Sequence, residues 1–324
     1  MRKLTLNRIL LVTALLTLAC GAAAQQAYPG KPIRLIVPYA PAGSASILAR
    51  LVGQKLTESW SQQVIVDNRP GGNTIIGTEA AAKSAPDGYT LLLAPSSHVI
   101  TPLLAATPYD AIKDFAPVAT IASSEYLLLL NPSVPANSLQ EFIALAKSKP
   151  GQLNYSSAGS GGAAHIAGEM FNLMAGVKMQ HIPYKGGGPA VTDLIGGQVQ
   201  LSFQTPIVSI PHISNGKLKA VAYTGDARLS ALPQVPTFTE AGLANFDVKY
   251  WFGILAPAGT PRGIIDKLST EIAKSLGIPD FREKLLGQGM EPFISSPEQL
   301  ANLMKSDTVR FGKVIKAANI KLEN

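Results

Sequence analysis

Residues 34–50 read RLIVPYAPAGSASILAR, and the fold follows from how this stretch divides. Leu35, Ile36 and Val37 form the short apolar run of a buried strand, Pro41 and Gly43 interrupt it, and Ile47, Leu48 and Leu51 recur at helical spacing. The unit is a strand, a loop and a helix, the helix predicted over 46–59. Such a loop presents backbone N–H groups at a helix N-terminus, where four amides lack intrahelical partners and the dipole favours negative charge. It is expected to hold an anionic group of a small ligand.

The same grammar extends outward from this unit. Apolar runs at 33–37, 64–66, 90–94, 118–121 and 126–131 alternate with helical patterns at 46–59 and 74–84. Ser138, with Glu141 three places on, reads as a capping box opening a helix over 139–147. Strands at 153–156, 180–183, 201–204 and 220–223 then alternate with helices at 163–175 and 189–196, and helical patterns follow at 262–276, 280–287 and 297–318. This order predicts an α/β fold of mainly parallel sheets flanked by helices. It is accounted for by two lobes joined near 123–125 and again near 248–251, with residues 25–124 and 252–324 in lobe 1 and 125–251 in lobe 2.

The chain has 324 residues, room for two domains of ordinary size, and its composition of 46% hydrophobic and 15% charged residues does not indicate disorder. Arg2, Lys3 and Arg8 precede an apolar run over 9–20 and then Ala22, Ala23 and Ala24, the pattern of a secretory signal peptide (1–24) that directs export. Twelve apolar residues are too few to span a bilayer, which needs about 20. Cys20, the only cysteine, raises lipid modification as an alternative, which Thr17 three places upstream fits poorly. Cleavage after Ala24 leaves a mature chain without cysteine, held by packing alone. Loss of the leader's three basic residues takes the net charge from +7 to +4. The remaining basic residues are scattered, which argues against nucleic acid as a partner.

Motifs point to binding without chemistry. Gly159-Ser160-Gly161-Gly162-Ala163-Ala164 matches a dinucleotide pattern, but the following strand ends in Tyr184 and Lys185 where a ribose-binding acid is required, so no cofactor is expected. The better reading is a loop whose amides, with the Ser157 and Ser160 hydroxyls, approach a small oxyanion. His98, His165, His181 and His212 lack metal-ligand spacing, so no metal site is expected; His165 either faces the ligand or stands exposed on its helix, and His181 and His212 read as structural. No G-x-S-x-G elbow is present, and Ser97 and His98, as neighbours on an extended segment, point opposite ways. Asn68-Arg69-Pro70-Gly71-Gly72-Asn73 reads first as a structural turn, with ligand contact second. Tyr39 and Trp251 are candidates for packing on the ligand body, or for core.

With these segments in view, the chain resembles the Bug family of periplasmic solute-binding proteins of tripartite tricarboxylate transporters. The resemblance covers the mature chain through YPGKPIRLIVPYAPAG, VDNRPGG, APDGYTLLLA, LNYSSAGSGG, HIPYKGGGPAVTDLIGGQVQLSF, LKAVAYT, LPQVPTFTEAG and LAPAGTP. It implies a two-lobed type II periplasmic binding protein, a monomer, closing on a carboxylate for delivery to a membrane permease. It further implies first-lobe contacts from Tyr39, Ala42, Gly43, Ser44, Ala45, Ser46, Ser96, Ser97 and His98. Second-lobe contacts would come from Ser157, Ser160, Gly161, Gly162, His165, Gly187, Gly188, Pro189, Ala190, Gln204, Thr205 and Pro206. The family's first loop runs close to P-P-G-G-P-T-D, so Ala45 here lacks a threonine hydroxyl and Ser46 replaces an acid while keeping the capacity to cap the helix. Gln204 stands where an acid is frequent. Loss of two acids is expected to disfavour amine-bearing ligands and favour di-anionic ones, aromatic dicarboxylates included. A sensor docking on a membrane signalling partner is the alternative reading, and an exported hydrolase using Ser97 or Ser160 with His98 or His165 a more distant one.

Overall fold

The computed structural model describes residues 28–246, 248–317 and 320. The predicted leader, Cys20 and the last residues of the predicted final helix lie outside the described residues. Two sheets carry the fold. The first has the order β11-β4-β10-β3-β1-β2, built from β1 (Ile33–Val37), β2 (Val64–Asn68), β3 (Thr90–Pro95), β4 (Phe115–Ser124), β10 (Tyr250–Pro257) and β11 (Glu291–Pro292). The second has the order β7-β6-β8-β5-β9, from β5 (Leu127–Leu130), β6 (Asn154–Ser157), β7 (Gln180–Pro183), β8 (Leu201–Gln204) and β9 (Lys219–Tyr223). The chain therefore passes between the sheets twice, after Ser124 and before Tyr250, close to the expected crossings.

The sheets are mainly parallel in strand direction, with β1, β2, β3 and β4 running one way in the first and β6, β7, β8 and β9 one way in the second, but each has a strand inserted against them. β1 is parallel to β2 and β3, and β6 to β7 and β8, but β10 is antiparallel to β3 and β4, and β5 to β8 and β9. β11 is likewise antiparallel to β4 at the edge of the first sheet, and the two central antiparallel strands, β5 and β10, are those that enter a sheet from the other one. They arrive without the helical return that makes neighbouring strands parallel. β1, β3, β5 and β10 are buried almost throughout, which is why their sequences are runs and not alternations.

Among the described residues there are ten α-helices: α1 (Ser44–Trp60), α2 (Ile75–Ala82), α3 (Ser97–Leu104), α4 (Leu139–Ser148), α5 (Ala163–Ala175), α6 (Gly187–Ile195), α7 (Pro206–Ser214), α8 (Arg262–Leu276), α9 (Pro279–Leu286) and α10 (Pro297–Ala317). The capping box at α4 is formed: Ser138 Oγ accepts from Glu141 N at 3.2 Å, and Glu141 Oε2 from Asn137 N at 2.7 Å. Among the described residues no helix is long and apolar enough to cross a membrane.

Candidate ligand site between the two sheets

Five parallel strands, β1, β3, β6, β7 and β8, direct their carboxyl ends at one region, and helices α1, α3, α5, α6 and α7 start there. A cavity of about 30 Å³ lies among these loops. Gly43, Ser44 and Ala45 at the start of α1 line it, opposite Ala164 of α5, Gly187 of α6 and Thr205, the residue before α7. None of these four helices has an acid in its first turn or a side chain capping its amides. Their positive ends therefore converge on one small space, the arrangement that holds an anion.

The rest of the wall is aromatic and neutral: Tyr39, Tyr126, Phe203, Tyr250 and the Gln204 amide, with no charged side chain. The Tyr39 hydroxyl is shared with Ser97 Oγ at 2.7 Å and with the Tyr250 hydroxyl. Burial raises the pKa of Tyr39, Tyr126 and Tyr250 alike, so all three stay neutral. Gln204 Nε2 donates to Ser202 Oγ at 2.9 Å. Thr205 Oγ1, on a residue only 3% exposed, is buried with no partner. A buried orphan hydroxyl at a cavity wall is costly unless something else satisfies it.

The two jaws touch through backbone. Ala40 N donates to Lys185 O at 2.8 Å. Gly186, Gly187 and Gly188 lie so close to Tyr39–Gly43 that a Cβ on Gly188 would stand 2.4 Å from the Pro41 carbonyl oxygen. Beside the cavity runs a wider crevice of about 260 Å³ that shares Tyr39 and Ala158 with it and includes Asn73, Thr74, Tyr184 and Lys185.

Of the expected contact residues, the structure brings Tyr39, Gly43, Ser44, Ala45, Gly187, Gln204 and Thr205 to the cavity wall. The segment 157–162 plays a different part. Its amides are already occupied: Gly159 N donates to Ser157 Oγ, Ser160 N to Asn73 Oδ1, Gly161 N to His165 Nδ1 and Gly162 N to Gly159 O. These four amides are thus engaged within the protein, and the loop meets the cavity through Ala158. His165 is neither exposed nor on the wall. It is 5% exposed and stacks on His181 at 3.9 Å, and His181 Nε2 lies 2.6 Å from Ser157 Oγ. Burial pushes His165 down to about 4, and burial together with the charge of His165 takes His181 to about 3, so both are neutral props.

Other candidates are placed elsewhere. Ser46 does not cap α1, because the helix begins two residues earlier with Gly43 as its cap; its hydroxyl donates to Asn68 Oδ1 at 3.2 Å. Ser97 and His98 belong to α3 and not to a loop; His98 Nε2 meets Ala111 O at 2.8 Å and its ring packs edge-on to Phe115. Ser96 is buried before that helix. Ala42 is exposed with a left-handed φ of 66°. Gly188, Pro189 and Ala190 form the first turn of α6, and Pro206 that of α7. Trp251 lies in the core of the first sheet with Leu300 and Met304, its Nε1 donating to Asp307 Oδ2 at 2.7 Å. The cavity-lining aromatic is its neighbour Tyr250, since successive residues of a strand face opposite ways. Ala158 falls within the expected contact segment 157–162, whereas sequence reasoning passed over Tyr126, Ala164 and Phe203 as contacts. Among the described residues no group of three or more His, Cys, Asp or Glu is placed to hold a metal ion.

The chain is 36% identical to Protein BugT of Bordetella pertussis over 99% of its length and all of that protein. It is similar to the structure of Rpa4515 from R. palustris with adipate, at 33% identity and a TM-score of 0.88, covering 91% of this chain and 99% of that one. It is also similar to MatC of Rhodopseudomonas palustris with bound malate, at 30% identity and a TM-score of 0.84, covering 89% and 100%. The model of the tripartite tricarboxylate transporter family receptor matches residues 48–320, and the chain belongs to that family.

Proposed function

We propose that the protein is a periplasmic solute-binding receptor that captures a small di- or tricarboxylate, aromatic acids included, between the units built on its two sheets and presents it to a membrane permease of the tripartite type. The observation that carries this reading is the convergence of four uncapped, acid-free helix N-termini on one neutral cavity. Adipate and malate, found in two similar proteins, are the natural probes. The absence of a carboxylate from the wall disfavours ligands bearing an amine, which would enter without a counter-charge.

The protein acts by lobe closure and returns its ligand unchanged. Three of the four residues of the hydrolase reading are engaged elsewhere: Ser97 with Tyr39, His98 with Ala111 O, His165 with Gly161 N. A thermal-shift screen of aliphatic and aromatic acids tests the reading. A ligand at 100 times its dissociation constant adds about 2.7 kcal/mol of stability. No shift with any di- or tricarboxylate, or turnover of a bound acid, would refute it.

A further inference from the structure

The turn between β2 and α2 holds its backbone where side chains rarely go. Asn73 has φ 52° and Thr74 φ 78°, after Gly71 and Gly72, which are also at positive φ. Glycine suits such backbone best, asparagine tolerates it, and a β-branched threonine is a true outlier there. The turn does not face solvent alone. Asn73 Oδ1 accepts from Ser160 N at 3.1 Å, reaching from the first sheet's unit to the glycine loop of the second. The Asn73 carbonyl is fixed in turn by Thr101 Oγ1 at 3.4 Å.

The contact is confined on both sides. Gly159 has φ 148°, and a Cβ on it would lie in van der Waals contact with Asn73 Oδ1 at 3.4 Å, so the carboxamide packs directly on this glycine. Each neighbouring amide of the loop is satisfied within its own unit, by Ser157, His165 or Gly159 O. Ser160 N alone among them takes its partner from across the cleft.

We propose that Asn73 is a positioning residue, a cross-cleft latch that holds the loop 157–162 against the closed site and sets how long the ligand stays. The inference rests on the receptor reading for what is retained, but the latch itself does not depend on the ligand's chemistry. The strained backbone is what aims the carboxamide: glycine at this position would keep the turn and lose the latch.

Asn73→Gly separates the two roles, because it removes the acceptor while easing the backbone. Amide hydrogen exchange at Ser160 and the dissociation rates of malate and adipate are measured for the full chain, alongside its melting temperature. The expected result is an unchanged or raised melting temperature, with both rates about fivefold faster, the factor for one hydrogen bond of about 1 kcal/mol. Asn73→Asp, which retains an acceptor oxygen, restores protection of the Ser160 amide. Equal exchange in wild type and Asn73→Gly overturns the latch. So does a lowered melting temperature that Asn73→Asp fails to restore, since that is the behaviour of a structural prop. Should neither acid bind the wild type while Ser160 is still protected through Asn73, the carboxylate reading falls and the latch stands.

Discussion

Gly188→Ala is the sharpest test of how the jaws meet. The added methyl stands 2.4 Å from the Pro41 carbonyl oxygen and 3.2 Å from the Ala42 carbonyl carbon and Cβ. Ordinary contact lies about 1 Å further out than the first of these distances. The loop 40–43 has little freedom to give way. Asn68 Nδ2 holds Tyr39 O at 2.9 Å, and Ala42 is already left-handed. The two units must therefore part.

Parting lengthens two hydrogen bonds that cross the cleft, Ala40 N to Lys185 O at 2.8 Å and Ser160 N to Asn73 Oδ1 at 3.1 Å. At about 1 kcal/mol each, their loss weakens binding by about 30-fold. The unliganded fold should not suffer, because Gly188 is in the first turn of α6 and alanine favours helix over glycine by about 1 kcal/mol. Titration calorimetry with the acid that gives the largest thermal shift, together with thermal unfolding without ligand, reads both quantities. Affinity within about threefold of wild type would refute closure through this contact, as would a fold destabilised in the absence of ligand.

Three further substitutions test other parts of the site. Thr205→Val deletes a hydroxyl that is buried without a partner, so it should leave stability unchanged or raise it while lowering affinity about fivefold; equal affinity by calorimetry would remove Thr205 from the site. Trp251→Phe should do the reverse, lowering unfolding free energy by about 1–3 kcal/mol as buried Asp307 loses its indole donor, with binding untouched. His165 and His181 protonate near pH 6.5 when unfolded but only at about 4 and about 3 when folded. Between those values the unfolded chain binds more protons, so stability is full above pH 6.5 and falls as the pH is lowered, by up to about 1.4 kcal/mol per unit for each imidazole. Urea unfolding of His181→Gln from pH 7 to 4 should show a shallower fall, and an unchanged slope would mean that His181 is not held neutral by the fold.

The α/β class was legible because β1, β3 and β5 are apolar runs separated by helical periods, and the capping box at Ser138 marked α4 to the residue. Strand direction was not legible in the same way. Whether β10 runs with or against β3 depends on which sheet the chain has just left, a fact of topology that no local pattern carries. At the site, the first loop was readable from Pro41 and Gly43, since punctuation before a helix marks exposed amides. The loop 157–162 carried the same signal, yet its amides are taken by Ser157, His165 and Asn73, two of them outside the motif. Asn73 was discounted for the opposite reason: Pro70-Gly71 explained the turn so fully that a cross-cleft role for its last residue left no trace in sequence.

The absence of charge from the wall bears on how such a site releases what it holds. An arginine or lysine at the cavity would bind a carboxylate more strongly, but it would also stand as an unpaired buried charge whenever the ligand left. Four helix ends supply fixed partial charges instead, with amides that need no rearrangement when the site is empty or full. Leaving those ends without a side-chain cap forgoes roughly a few tenths of a kcal/mol at each of the three glycine caps, Gly43, Gly162 and Gly186, that a serine or aspartate would contribute. That stability is recovered only when an anion arrives, so it appears as ligand affinity and not as stability of the unliganded fold. The same logic covers Thr205, whose buried hydroxyl lacks a partner until the ligand supplies one. A site built this way couples occupancy to closure through groups that are unsatisfied when open, which is the differential a receptor needs if its closed state is to report a bound ligand.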